Sequence, residues 1–228
     1  MSASIGSTIE QDTCSIQVVN VGTNTITVRY EGLPGNQPKD YGNFVAVWES
    51  TTIPWNVVPV RIAPVPQNSE SGDFVIGGLT ITANAYIVGY GVGPAITDIC
   101  TCAFISPIVS LAATKPVTVS MTLLHVDINS LSVQYFTLPG YLPGYYRNWI
   151  GIWEGYASPY NAVQPIGFTN ITSNANQGAV GIDHLTLYPG TVYTLVYFMG
   201  AMDQNCQYPK ILKNAAAILY FETPPATI

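Results

Sequence analysis

Few residues in this chain are of a type that does chemistry, so their spacing is weighed first. The two histidines, His125 and His184, are far apart, and neither has a second histidine at the short spacing a zinc site uses. Four cysteines, Cys14, Cys100, Cys102 and Cys206, allow three complete pairings. Cys100-Thr101-Cys102 leaves one residue between its thiols, where redox and zinc motifs leave two. A Cys206–His184 dyad would have to be assembled by the fold, since nothing in the spacing brings the two together. Glu49 and Glu154 each follow a Trp, but they sit about a hundred residues apart on matching strands and do not make an acid–base pair. No nucleophile elbow, phosphate-binding loop, H-E-x-x-H or calcium-loop pattern occurs. The sequence therefore assigns no catalytic residue, no metal ligand and no cofactor, and a non-enzymatic protein is expected.

The loops offer more than the strands. Pro54-Trp55-Asn56 and Pro159-Tyr160-Asn161 each place an aromatic ring after a proline in a turn-rich segment. An exposed ring beside Asn supplies apolar area with hydrogen bonds at its rim, which suits a sugar face or a partner chain. The segment "TLPGYLPGYYRNW" (137–149) adds Tyr141, Tyr145 and Tyr146 among Gly and Pro turns, a composition typical of contact surfaces. The candidate binding residues are thus Trp55, Asn56, Tyr160, Asn161, Tyr141, Tyr145 and Tyr146. The expected partner is a protein or a second copy of this chain. The alternative is a glycan held by two similar weak sites that gain from avidity.

Bulk composition narrows the classes. Charged residues are 9% of the 228, against about 25% in an average protein. Seven basic and 13 acidic residues give a net charge of −6, with no basic stripe for nucleic acid or anionic lipid. Hydrophobic residues reach 48%, which excludes a disordered chain. No apolar run approaches the roughly 18 residues that span a bilayer, so no membrane span is expected. The first residues, "MSASIGSTIEQDTCS", have neither a basic start nor an apolar core, so the expectation is a cytoplasmic protein with reduced thiols, or one exported without a leader. Lys, a usual guard of exposed strand edges, occurs only at positions 39, 115, 210 and 213, which leaves room for self-association.

These residues have to be positioned by a repeat. "NTITVRYEGLPG" (24–35) lies over "NSLSVQYFTLPG" (129–140) at an offset of 105, and "NFVAVWES" (43–50) lies over "NWIGIWEG" (148–155). The offset slips to 106 at Gly72/Gly178 and to 107 where "YIVGYGVG" (86–93) meets "YTLVYFMG" (193–200). Single-residue slips belong in loops. The predicted layout is an N-terminal arm over residues 1–12, without a counterpart, followed by repeat units at 13–112 and 113–228.

Each unit shows about seven short apolar stretches separated by turn residues. In the first they fall near 14–20, 24–31, 43–49, 57–63, 73–77, 84–92 and 102–106; in the second, near 117–125, 129–136, 148–154, 162–169, 178–182, 191–199 and 215–222. Alternation puts Ile26, Val28 and Tyr30 on one face and Thr25, Thr27 and Arg29 on the other. Seven strands in about 105 residues predict an all-β protein: two tandem immunoglobulin-like β-sandwiches arising from an internal duplication. Trp48 and Trp153 are expected as the large buried residues of the third strand. "YPKILKNAAA" (208–217) is the best helical candidate, weakened by its Pro and Asn.

The Asn148-Trp149-Ile150-Gly151 strand start resembles the Asp-Trp-Ile-Gly start in SKICH domains, with Asn in place of Asp. "YPGTVYTLVYF" (188–198) is similar to their Pro-Gly turn leading into a Tyr-rich strand. The two-copy layout looks like that of bacterial tandem β proteins. The resemblance implies an immunoglobulin-like sandwich with a targeting or binding role. It transfers no functional residue.

Overall fold

A computed structural model describes residues 7–106, 116–161, 163–202 and 212–225. In chain order its strands are β1 (Ser7–Thr13), β2 (Ser15–Val21), β3 (Thr25–Glu31), β4 (Phe44–Trp48), β5 (Arg61–Pro64), β6 (Ser71–Gly77), β7 (Tyr86–Gly91) and β8 (Ile99–Ile105). They are followed by β9 (Val117–Thr118), β10 (Ser120–Val126), β11 (Leu131–Phe136), β12 (Trp149–Glu154), β13 (Gly167–Asn170), β14 (Gln177–Ile182), β15 (Val192–Phe198) and β16 (Ala215–Glu222). The expected domain boundary at 112/113, Cys206 and the first four residues of "YPKILKNAAA" lie outside the described residues; 212–214 are not helical, and Ala215 onward is strand β16 rather than helix.

The chain folds as two β-sandwiches. The first is drawn from Cys14–Val119 with Leu138–Tyr141, the second from Met1–Thr13, Ser120–Thr137 and Leu142–Ile228. The first has a three-stranded sheet, β2-β3-β6, and a five-stranded sheet, β5-β4-β7-β8-β9. The second has β10-β11-β14 and β13-β12-β15-β16-β1, so the strand orders correspond one to one. Every pairing is antiparallel.

The alternation read in β3 is realised. Ile26, Val28 and Tyr30 are buried and meet the facing sheet, where Tyr30 stacks on Tyr90 of β7 at 5.6 Å. Tyr90 lies opposite Val45 in register, so Val45 and Val47 also face inward. Trp48, three residues beyond Val45, therefore points to the outer face of its sheet. The same geometry holds in the second sandwich: Tyr135 of β11 lies 6.4 Å from Tyr197, Tyr197 pairs with Ile150, and Trp153 is turned outward. Both indoles are nonetheless only 2% exposed. The loop after each strand folds over the outer face, and the indole N–H donates to it: Trp48 Nε1 to the Val57 carbonyl at 2.9 Å, Trp153 Nε1 to the Val163 carbonyl at 2.8 Å. With both faces covered, β4 and β12 read as unbroken apolar runs rather than alternating ones. The Asn that opens each run is buried as well. Asn43 Nδ2 donates to the Tyr90 hydroxyl at 2.7 Å, and Asn148 Nδ2 to the Phe198 carbonyl at 3.1 Å.

Glycines on β6 and β14 make room for the core tyrosines. Gly72 lies opposite Tyr30 and Gly178 opposite Tyr135. A Cβ on Gly178 would stand 2.6 Å from the Tyr135 hydroxyl oxygen, too close for any side chain. The hydroxyls differ in their partners. Tyr30 Oη donates to the Ser69 carbonyl at 3.0 Å, whereas the buried Tyr135 Oη has no hydrogen-bond partner among the described residues. Losing a satisfied bond costs about 1 kcal/mol, and a buried unsatisfied group carries a penalty of about 1–3 kcal/mol. Urea unfolding should show Tyr30→Phe destabilised by about 1 kcal/mol and Tyr135→Phe unchanged or stabilised.

Candidate functional site

The loops that cover the indoles carry the residues singled out in the sequence, and the two sandwiches use them differently. In the first, Trp55 is half-buried. Its Nε1 donates to the Pro139 carbonyl at 3.1 Å, and its ring meets Tyr141 edge-on at 4.8 Å. Tyr141 is fully buried, and its hydroxyl donates to the Thr97 carbonyl at 2.8 Å. The Leu138–Tyr141 turn, which the repeat numbers with the second copy, thus belongs to the first sandwich and occupies the ring expected to be free. In the second sandwich, Tyr160 sits in a 3₁₀ turn (Pro159–Asn161) and is 8% exposed. Exposure was expected at Tyr141 and Tyr160, and both rings are instead packed into the protein. Asn56 and Asn161 are exposed. Tyr145 is 71% exposed and meets the half-buried Tyr146 edge-on at 5.2 Å. The seven residues therefore fall into a contact of half-buried Trp55 with buried Tyr141, an exposed Asn56 beside it, a Tyr145–Tyr146 pair at the surface, and a Tyr160–Asn161 turn.

The groups able to do chemistry are dispersed. Cys14, Cys100 and Cys102 are free, buried thiols. Burial pushes the Cys102 thiol up to about 11, so it is protonated and unreactive at neutral pH. It lines a cleft of about 170 Å³ with Ile53, Ile87, Phe104, Leu138 and Pro139. That volume is below the roughly 300 Å³ of the smallest usual ligand pockets and suits a single apolar side chain. In the second sandwich, an open cleft of about 440 Å³ has Arg147 as its one charged wall residue among the described residues. Glu49 accepts from Thr82 Oγ1 and Asn84 Nδ2, a loop-fixing role. No three His, Cys, Asp or Glu gather to hold a metal among the described residues. None of the helices there is long and apolar enough to cross a membrane.

His184 has a backbone role. It is exposed, with φ at 59°, and at the 106-residue offset its counterpart is Gly78, with φ at 73°. The turn after β6 and β14 requires the left-handed region, which glycine enters freely and a side chain enters at a cost of about 1 kcal/mol.

The apolar surface that sequence reading missed lies along the sheet edges. The valines whose carbonyls receive the indoles turn their side chains outward: Val57 is 53% exposed and Val163 57%. Each loop then enters an edge strand through matching bonds, Val60 N–H to the Val47 carbonyl and Ile166 N–H to the Ile152 carbonyl, both 2.8 Å. Beyond them, Ile62 on β5 and Phe168 on β13 are also exposed. Val57/Val163, Val60/Ile166 and Ile62/Phe168 are equivalent at the single offset of 106. Among the described residues, β5 and β13 are terminal in their sheets, so each has no neighbouring strand on one side. Arg61 is the one charged residue of β5, and β13 has none. The available signal was this shared offset, together with an apolar run, "VVPVRI" (57–62), longer than the strand it leads into.

No protein-family model matches the sequence, and no curated protein matches it. Among solved structures, it is similar to the crystal structure of chicken CNTN1 FN1-FN3 domains, fibronectin type III domains of a contactin, at 14% identity and a TM-score of 0.29. The match covers 92% of this chain, which spans 64% of that chain's length. The sandwich assignment stands on the strand order and register described above.

Asp98 and His184 give two tests. Asp98, beside Thr97 in the turn that receives Tyr141, accepts from the Ala95 N–H at 2.9 Å, and burial pushes its carboxyl up to about 6 from 3.8. The native state thus keeps a proton that the unfolded chain has released, so rising pH weakens the fold between about 4 and 6. The full shift corresponds to about 3 kcal/mol. Asp98→Asn should remove that part of the pH dependence, read as a flatter curve of unfolding free energy from pH 4 to 7. His184→Gly should raise stability by about 1 kcal/mol in urea unfolding.

Proposed function

We propose that the protein is a non-enzymatic binding protein whose working surfaces are the two apolar sheet edges, Val57–Val60–Ile62 and Val163–Ile166–Phe168, and that its partner is an extended stretch of polypeptide. The observation that carries this reading is the equivalence of the two surfaces: the same three positions are apolar and exposed in both sandwiches, beside a strand with one unpaired side. A strand added there gains main-chain hydrogen bonds from the edge and seats alternate side chains on the apolar row. Such an edge is a liability unless used or guarded; β5 carries Arg61 and Pro64 as guards, whereas β13 carries neither a charge nor a Pro. The SKICH-like strand start at Asn148–Gly151 points toward the same class of non-catalytic role. The glycan alternative has less support, since Trp55 and Tyr160 do not form the matched pair of open rings it requires.

The test is selection of displayed random peptides on the immobilised full chain. It should enrich sequences with alternating apolar residues. Their affinity should fall at least tenfold on the Ile62→Lys/Phe168→Lys double variant, a loss of about 1.4 kcal/mol. Enrichment of no extended apolar motif, or equal affinity for the variant, would refute the reading.

A further inference from the structure

The three described thiols all belong to the first sandwich but are not equivalent. Cys102 lies opposite Gly89, next to inward-facing Tyr90, and so points out of the sandwich into the small apolar cleft. Cys14 and Cys100 point in. Cys14 is the one residue between β1 and β2, so the arm expected over residues 1–12 contains a sheet strand. Two residues on, Ile16 lies opposite Tyr30 and faces the core with it, and Cys14 shares that face. Cys100 belongs to the facing sheet. The register of β7 and β8 shifts there: Tyr90 pairs with Thr101 and Gly91 with Ile99, which leaves Cys100 as the extra residue of a bulge. A bulge re-aims the side chain it carries. Here it brings the Cys100 thiol within hydrogen-bonding reach of the Cys14 thiol, and both side chains are fully buried. Backbone contacts hold the approach. Thr118 Oγ1 lies 2.7 Å from the Cys14 carbonyl oxygen and 3.4 Å from that of Cys100, which also accepts from the Val119 N–H at 2.8 Å.

The second sandwich has the same backbone without the thiols. The β15–β16 register shifts at the corresponding point, where Tyr197 pairs with Ala217 and Phe198 with Ala215, so Ala216 is the bulged residue. Val119, the one residue between β9 and β10, stands where Cys14 stands. Ala216 and Val119 are both fully buried. Neither the bulge nor the one-residue link therefore requires sulfur. The two cysteines occur together in one sandwich, and aliphatic residues replace both in the other.

We propose that Cys14 and Cys100 are the two ends of an inter-sheet disulfide, formed in an oxidising setting and stabilising the first sandwich. It joins the two sheets directly and closes a long loop, since the residues lie 86 positions apart (100 minus 14), and long loops lose most entropy in the unfolded chain. Formation takes two steps. The thiolate of one Cys attacks oxidised glutathione and releases one molecule of reduced glutathione; the thiolate of the other then displaces the second. Two protons leave the protein, and the two electrons given up by its sulfurs reduce the glutathione disulfide. Burial, and then the neighbouring Cys14 thiol, push the Cys100 thiol well up, so it keeps its proton once the core is closed. The bond is thus made while the chain folds. In a reducing setting the pair stays as the free thiols seen here.

For the test, the full chain is refolded from urea in a buffer of oxidised and reduced glutathione. Its remaining thiols are alkylated, and an unreduced digest is read by mass spectrometry. The expected result is one dominant linked peptide pair, carrying Cys14 and Cys100, in the parent and in the Cys102→Ala/Cys206→Ser variant. Reduction should lower the melting temperature of the oxidised parent by at least about 5 °C. The Cys14→Val/Cys100→Ala variant carries the residues of the second sandwich at both positions; it should fold, and its melting should be indifferent to reductant. Alkylation of all four thiols in the parent would overturn the proposal. So would linkage through Cys102 or Cys206 in place of this pair, or a melting temperature that reduction leaves unmoved. The sheet-edge reading is tested on different residues and stands or falls separately.

Discussion

Each sandwich depends on one buried N–H finding an acceptor. Trp48 and Trp153 stand on the outer faces of their sheets, where no second sheet covers them. An indole left in water there forfeits the burial of a large ring, and one buried without a partner for its N–H carries a penalty of about 1–3 kcal/mol. The carbonyls of Val57 and Val163 meet both demands by drawing the following loop across the sheet. The rest follows from that bond. The loop is pinned, the valine side chain is turned out, and the chain is delivered to the sheet edge at Val60 or Ile166 with its backbone already paired. The phrase that recurs at 43–50 and 148–155 is thus the wording of a strand buried on both faces, and its Asn and Trp are the polar groups that fix what covers it.

Much of the fold was legible because it is local. The alternation of Ile26, Val28 and Tyr30 predicted which residues enter the core, and the turn-separated runs predicted the strands. What was not legible is non-local. An unbroken run such as FVAVW shows burial on both faces without showing which face meets the other sheet, so the burial of the indoles was legible and their place on the outer face was not. Pro-Trp-Asn and Pro-Tyr-Asn read as twins, yet Trp55 is engaged by Leu138–Tyr141, 84 residues on at the Pro139 carbonyl, and Tyr160 has a different environment. β1 was missed because its side chains are mostly exposed and its sheet partner lies at the far end of the chain. Its one sequence signal was the match of Cys14 with Val119, each preceded by Thr.

One residue, Cys14, separates β1 from β2, and one, Val119, separates β9 from β10, which shapes how the fold is assembled. Neither β1 nor β9 can turn back on the strand that follows it; β9 completes the sheet of the strands that precede it, and β1 completes a sheet whose other strands all lie in the second half of the chain. The β1–β16 ladder joins residues about 200 positions apart. Closing so long a loop costs entropy before any contact is made, which places this pairing late in folding.

The two ends of each five-stranded sheet therefore pose contrasting problems. At β16 and β8 the edge is closed, with a seven-residue strand in one case and two residues in the other. At β5 and β13 no described strand closes the edge, and the exposed side chains there include Val, Ile and Phe as well as Arg61, Pro64 and Asn170. A chain whose surface was shaped only for solubility would treat the two ends alike, by covering both or by placing charge on both. Here one end is covered by a paired strand, while the other keeps exposed apolar residues at the corresponding positions of both sandwiches. That asymmetry is hard to derive from stability alone, because exposed Ile62 and Phe168 gain little from folding where they lie. It follows directly if the open end is where another extended chain is received.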